Sequence, residues 1–370
     1  MAKVSLKNVS KSYPGKHAVI AFNDLSLEIA DREFVVVAGP TGCGKSTLLR
    51  LIAGLEKVSR GDIFIGDRLV NLVPSRDRDV AMVFRDGALY PHLSVRENLA
   101  LGLKWRKFPA VEINQRVADA ASALAIEQFL ELKPRALSGD GWQRVAIARA
   151  IVRKPKVLLF EAPFSPLNAK LRPEIRKLHE RLQTTIIYAT SDPVEAMTMG
   201  SRIVVMNHGV VEQSDAPSTL YHAPVNQFVA GFLGKPAMNF LHGTLKLDRE
   251  TLVFTEADGG TVVARLPLSE QPGAREFIGK SIVLGIRPEE IMVAPSEAGR
   301  EKSAAGFRAI VEAVEPRGGE TFLSLQTGAH TVVCRTQAIF DHRDAGHRMQ
   351  FEMNLQTAHL FDPVSTLRIA

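Results

Sequence analysis

Residues 39–46, Gly-Pro-Thr-Gly-Cys-Gly-Lys-Ser, fit the spacing G-x-x-x-x-G-K-[ST] and constrain the fold more than any other stretch of this 370-residue chain. Before them, Phe34, Val35, Val36, Val37 and Ala38 form a continuous apolar run, as a strand covered on both faces would. After them, Leu48, Leu49, Leu51, Ile52 and Leu55 recur at helical spacing. Strand, glycine turn and helix in that order make a phosphate cradle. The glycines let backbone N–H groups converge on phosphate oxygens, and the helix N-terminus adds its positive dipole end. Lys45 is expected to reach the outer phosphates, and the Ser46 hydroxyl to bind Mg²⁺. The spacing therefore predicts a nucleoside triphosphate held by Gly39, Pro40, Thr41, Gly42, Cys43, Gly44, Lys45, Ser46 and Thr47.

The rest of the chain falls into two textures. Residues 95–155 read mostly as helix, with Val117, Ala121, Leu124 and Ala125 on one face and Val145, Ala148, Ile151 and Val152 on another. From Val157 to about residue 210, short apolar strands alternate with helices, which argues for a parallel sheet. Past Pro236, strand-like runs such as 261–266, 281–286, 309–314 and 331–335 are separated by Gly, Pro and Asp, the pattern of a small barrel or pair of barrels. Two domains are expected, 1–235 with a helical subdomain at about 88–155, and 236–370. Charge divides with them: 32 basic and 23 acidic residues (+9) in the first, 14 and 17 (−3) in the second. Cys43 and Cys334 are too few for a disulfide framework and suit a reducing compartment. With no apolar run near the roughly 18 residues that span a bilayer and no signal-peptide core at the N-terminus, a soluble cytoplasmic chain is expected.

Further motifs carry a resemblance. Tyr13 stands upstream of the phosphate loop, Leu137-Ser138-Gly139 precedes a helix, Val157 to Leu159 precede an acid, and Glu195-Ala196-Met197-Thr198 follows. With these the chain resembles the ATP-binding subunit of ABC importers. Through Ala88-Leu89-Tyr90-Pro91-His92, Phe228-Val229-Ala230-Gly231-Phe232, Met238-Asn239-Phe240-Leu241, Gly285-Ile286-Arg287-Pro288-Glu289 and His359-Leu360-Phe361-Asp362 it is similar to the maltose-type and glycerol-phosphate-type carbohydrate importers. The resemblance implies an α/β P-loop (RecA-like) ATP-binding domain with a helical subdomain, followed by an all-β, OB-like regulatory domain. It further implies ATP and Mg²⁺ as cofactors, Tyr13 beside the nucleotide, and a position on the inner face of the plasma membrane beneath permease subunits. Subunits of the family dimerise head to tail, each ATP lying between one phosphate loop and the partner's signature loop. Here that loop would be Ser138, Gly139, Asp140 and Gly141. The tail is net acidic without obvious stacking aromatics, so no nucleic-acid partner is expected.

Where the resemblance places the hydrolytic groups, this chain departs from it. The family's Asp-Glu-Pro reads Glu161-Ala162-Pro163, putting Glu161 in the metal position and Ala162, which accepts no proton, in the general-base position. The family's switch histidine is Ser191, its Gln beside the metal is Arg85, and its Ser-x-Leu-Asp loop ends in Asn168. Asp140 replaces a glycine of the signature loop and would bring a carboxylate toward the partner's triphosphate, a repulsion of at most about 4 kcal/mol at 4 Å and an effective dielectric near 20. No catalytic residue is expected to be intact. Three readings follow: a subunit of a carbohydrate or polyol importer that binds Mg-ATP, hydrolyses it poorly and pairs with a catalytically complete ATP-binding subunit; a slow homodimeric transport ATPase; or an ATP-sensing regulatory protein acting through the β-rich tail. The cluster Lys104-Trp105-Arg106-Lys107 reads as a solvated helical edge, and His92 as a structural or docking residue.

Overall fold

The computed structural model describes residues 2–14, 19–84, 87–161, 171–294 and 305–369. Arg85, Ala162 and Asn168 lie outside the described residues. The chain divides into two compact units, 1–217 and 218–370.

The first unit opens with β1 (Val4–Tyr13), β2 (Val19–Ile29), β3 (Phe34–Ala38), α1 (Lys45–Ala53), β4 (Arg60–Ile65), β5 (Arg68–Leu69) and β6 (Val80–Val83). A helical insert of α2 (Val95–Trp105), α3 (Ala110–Ala123) and α4 (Gly139–Ile151) follows. The chain then returns through β7 (Val157–Glu161), α5 (Leu171–Leu182), β8 (Thr185–Thr190), α6 (Pro193–Met199), β9 (Arg202–Asn207) and β10 (Val210–Asp215). Two sheets result. One is antiparallel in the order β2-β1-β4-β5; the other runs β10-β9-β3-β8-β7-β6, parallel except for edge strand β10.

Helix α1 fills the space between these sheets. Leu48, Leu49, Leu51 and Ile52 share one core with Val4, Leu6 and Phe22 of the antiparallel sheet and with Val35, Val37, Leu159 and Ile187 of the parallel one. Burial against two sheets explains a helix apolar around most of its girth. The sequence run 34–38 is buried at every position because both faces of β3 are covered and both edges are paired, with β8 and β9. At the other end of α1 the buried Arg78 donates to the carbonyls of Leu51 and Ile52 at 2.7 and 3.1 Å, closing the helix C-terminus. The phosphate loop thus leaves the C-terminal end of a central strand, where open α/β sheets carry their ligands.

The second unit begins with α7 (Pro217–His222), whose first residue lies at the division, and α8 (Gln227–Phe232). Two antiparallel sheets follow, which is the all-β texture expected past residue 236. Strands β11 (Asn239–Asp248), β12 (Thr251–Glu256), β13 (Val263–Pro267) and β14 (Ser281–Ile286) lead to β15 (Ile291–Val293), β16 (Gly306–Arg317), β17 (Glu320–Gln326), β18 (Thr331–Thr336) and β19 (Arg348–Met353), then β20 (His359–Phe361) and β21 (Arg368–Ile369). Their orders are β13-β12-β11-β14-β20-β21 and β15-β19-β16-β17-β18, joined by one core that includes Leu241, Phe254, Leu284, Phe307, Leu323 and Phe351. By compactness residues 218–235 group with this second unit. The buried Arg287 supplies the reason: its guanidinium donates to the carbonyls of Tyr221, Ala230 and Leu233 and covers the Tyr221 ring at 3.8 Å.

Candidate functional site

Gly39 leaves β3 where any side chain would collide with the carbonyl oxygen of Met206 on β9. At the other end of the loop Gly44 caps α1 in the left-handed region (φ 108°), and a Cβ there would stand 2.7 Å from the ring of Phe22. Between them the Lys45 ammonium, in a buried residue, is held over its own loop, donating to the carbonyls of Gly39 at 2.7 Å and Pro40 at 2.8 Å and lying 3.6 Å from the Cys43 sulfur. A cation so placed, at the N-terminus of a helix whose first N–H groups have no partner inside the helix, forms an anion receptor. Ser46 is exposed at the start of α1, and Thr47 is half-buried. Tyr13, at the end of β1, carries the Lys11 ammonium over its ring at 4.4 Å, and Lys11 in turn pairs with Glu56 at 3.0 Å.

Glu161 is the last residue of β7 and is buried. Its carboxylate meets the Arg50 guanidinium at 3.2 Å. Sequence reading missed Arg50, although its position one helical turn beyond Ser46 was available as a signal. Ser46 and Glu161 offer a hydroxyl and a carboxylate, hard oxygen donors of the kind Mg²⁺ takes together with waters and substrate phosphates. No cluster of three His, Cys, Asp or Glu that could hold a metal by itself occurs among the described residues, and a metal bound chiefly through nucleotide needs none.

Ser191 follows β8 and is held between two anchors. On one side Thr190 donates to the buried Glu195 carboxylate at 2.7 Å and accepts from the Asp192 N–H at 3.0 Å. On the other, Asp192 caps α6, accepting from Val194 N–H at 2.7 Å. The Tyr188 hydroxyl also donates to Glu195 at 3.1 Å, and burial together with the nearby carboxylate raises the phenol above its ordinary pKa. Arg172 approaches the same carboxylate at 3.6 Å. The Ser191 backbone is therefore fixed while its own side chain carries no ring nitrogen.

Ser138 caps α4, its hydroxyl accepting from Gly141 N–H at 3.2 Å. In the first turn of that helix Asp140 does not stand as a bare charge: Arg144 Nε donates to it at 2.8 Å, and the same guanidinium grips Glu174 of α5 through two bonds of 2.5 and 2.8 Å. These contacts hold Arg144 firmly protonated. The repulsion of about 4 kcal/mol, worked for an isolated carboxylate, is therefore an overestimate for this loop.

Beside the insert lies a groove of about 610 Å³ with walls that include Leu55, Trp105, Arg106, Arg149 and Arg153. Trp105 is exposed, and Arg153 is partly buried, its pKa lowered by burial and by the neighbouring Arg106. The adjoining loop is braced by the buried Asn98, which accepts from Tyr90 N–H at 2.8 Å and donates to the carbonyls of Tyr90, Leu93 and Ser94. His92 projects from that loop, exposed, 6.0 Å from the Tyr90 ring.

Family models match in three places: ABC transporter over residues 22–165, MalK OB fold domain over 234–291 and TOBE domain over 284–361. The chain is 46% identical over 374 residues to the sn-glycerol-3-phosphate import ATP-binding protein UgpC of Burkholderia cenocepacia (strain HI2424), covering 100% of this chain and 99% of that protein. It is 44% identical over 376 residues to an uncharacterized ABC transporter ATP-binding protein, YcjV, of Escherichia coli O157:H7, with 100% of each covered. Among solved structures, the dimeric post-hydrolysis state of the ATP-binding cassette MJ0796 bound to ADP and Pi superposes with a TM-score of 0.53 at 32% identity, over 58% of this chain and 98% of that one.

Proposed function

The chain belongs to the ATP-binding subunits of ABC transporters, and from that premise we propose that in its import system it binds Mg-ATP but hydrolyses it poorly, pairing with a catalytically complete ATP-binding subunit beneath membrane permease subunits. The observation that carries this reading is the contrast within one site. The phosphate loop retains its lysine, its glycine geometry and its helix N-terminus, whereas the position of the water-orienting side chain is Ser191, fixed in place by Thr190 and Asp192 but without an imidazole. The general-base position is Ala162 in the sequence, and loss of such a base removes on the order of 10² to 10⁴ in rate. Mg²⁺, when bound, supplies charge neutralisation of the phosphates, and Ser46 and Glu161 are the residues that would hold it.

The Asp140–Arg144 pair shapes the choice of partner. With its carboxylate compensated, this chain's signature loop is a tolerable neighbour for a second subunit's ATP, so a mixed dimer retains one productive site: the partner's phosphate loop, base and histidine facing Ser138 and Gly139. The groove beside the insert, apolar with arginines on its walls, suits an amphipathic helix bearing carboxylates, and we assign it to the permease. Similarity to a glycerol-phosphate import protein favours a carbohydrate or polyol derivative as the solute, and peripheral attachment at the inner membrane face goes with this assignment.

The purified chain tests the proposal. ATP binding measured by calorimetry is expected to be intact and to disappear in Lys45→Ala, while turnover stays orders of magnitude below that of a complete homologue. Ala162→Glu together with Ser191→His should then raise turnover. Full ATPase activity of the unaltered chain, abolished by Lys45→Ala, refutes it in favour of a transport ATPase working as a homodimer.

A further inference from the structure

Tyr13 ends β1 and is the strand's one aromatic residue. The ladder it belongs to leads past the phosphate loop: Lys11 pairs with Phe22 of β2, whose ring closes on Gly44, and two residues further on Tyr13 pairs with Val19. Val19 and Ile20 are exposed, so the hairpin carries the half-buried Tyr13 ring beyond the loop to the surface. A base whose phosphates lie on residues 39–47 finds its aromatic platform there. One face of that ring is already taken. Residues two apart on a strand share a face, and the Lys11 ammonium lies 4.4 Å from the ring centroid. Lys11 is buried, and its ammonium donates to the Glu56 carboxylate and to the Lys57 carbonyl, both at 3.0 Å. Glu56 and Lys57 follow the C-terminal end of α1, the helix whose N-terminus is the phosphate cradle.

We infer that Lys11 is a positioning residue for the base of bound ATP: it fixes the Tyr13 ring from one face by a cation–π contact and leaves the other face to stack on the purine. An ammonium withdrawn from water attracts an aromatic face more strongly than an exposed one, because less water competes for the charge. Held by Glu56 and Lys57, the ammonium does not follow the ring, so the ring is oriented before nucleotide arrives and less rotational freedom is lost on stacking. Anchor and cradle lie at opposite ends of α1, which fixes base platform and phosphate site relative to one another. The inference rests on the reading that residues 39–47 bind ATP; it adds that base and phosphates are held by separate groups, and that Lys11 tunes the first.

The test compares ATP with inorganic triphosphate, which has the phosphates and no base, as ligands of the full chain in excess MgCl₂, measured by calorimetry. Lys11→Met keeps an apolar stem and removes the charge. It should weaken ATP binding about three- to tenfold and leave inorganic triphosphate within about twofold. Lys11→Arg, whose guanidinium also makes cation–π contacts, should recover most of the loss. Tyr13→Leu should weaken ATP as well, and adding Lys11→Met to it should cause no further loss, because the two side chains act as one unit. Glu56→Gln, which loosens the ammonium from its anchor, should show the same ATP-only loss on a smaller scale and keeps the inference testable should Lys11→Met not fold. Unchanged ATP affinity in Lys11→Met, an equal loss for inorganic triphosphate, or additive losses with Tyr13→Leu overturns the inference. Failure of the unaltered chain to bind either ligand removes the phosphate-loop reading itself, an outcome distinct from binding ATP without help from Lys11.

Discussion

Arg144→Leu probes the charge arrangement beneath the signature loop. The substitution removes two bonds to Glu174, one to Asp140 and one, at 3.1 Å, to the carbonyl of Leu124. Fully buried, charge-assisted bonds of this kind contribute about 1.5–3 kcal/mol each. Here the arginine side chain is 14% exposed but its carboxylate partners are 39% and 40% exposed, so each pair is worth nearer the surface value of roughly 0.5–1 kcal/mol. Adding about 1 kcal/mol for the carbonyl left unpaired, the total loss is roughly 2–3 kcal/mol. In a unit of this size that lowers the melting temperature by about 4–12 °C. Differential scanning calorimetry of Arg144→Leu, Glu174→Gln and the double variant measures it. Because Glu174→Gln removes the carboxylate that Arg144→Leu leaves uncompensated, the double variant should be more stable than the sum of the single losses implies, by at least about 0.5 kcal/mol. Additive losses, or a melting temperature unchanged in Arg144→Leu, would show that the guanidinium does not bridge α4 to α5.

Three further outcomes follow from the same geometry. His359, half-buried and near the cationic Arg368 and Arg287, has its pKa lowered to about 4, chiefly by burial. Since the unfolded imidazole takes up a proton near pH 6.5 and the folded one does not, stability is full above that pH and declines as pH falls from 6.5 toward 4, by roughly 2 kcal/mol after discounting for partial exposure. Calorimetry at pH 7 and pH 5 should register the decline, and His359→Gln should reduce it. Tyr188→Phe deletes one of the bonds to the buried Glu195 and should cost about 1–2 kcal/mol by chemical denaturation; a neutral result would mean that the carboxylate is satisfied without the phenol. Arg153→Glu places a negative charge in the arginine-lined groove and should diminish co-purification with permease subunits several-fold while ATP affinity stays unchanged. Undiminished recovery would remove the groove from the permease assignment.

Much of the fold was legible because its signals are local. The apolar run 34–38, the glycine turn and the helical spacing of Leu48, Leu49, Leu51 and Ile52 specify strand, loop and helix within about twenty consecutive residues, and the structure builds them in that order. The same holds for the change to antiparallel strands past residue 236. What α7 and α8 pack against was less legible: their own sequence carries no mark of it, and the contacts that tie them to the β-rich unit come from far along the chain, among them the carbonyls offered to Arg287, the Tyr221 hydroxyl on Glu289, and the backbone bonds of Val225 and Gln227 with Arg368 and Thr366.

By itself, then, the sequence determined the spacing of the phosphate loop and the residue types that stand at positions 161, 162 and 191, since both are matters of residue type at fixed places along the chain. Only the tertiary structure decided how the charges left behind are compensated. Arg50 reaches Glu161 from another element, and Arg144 reaches Glu174 from 30 residues away while holding Asp140 on its own helix. A formal charge is a property of the residue, but its effect depends on the distance to its counter-ion and on the water between them, and folding sets both.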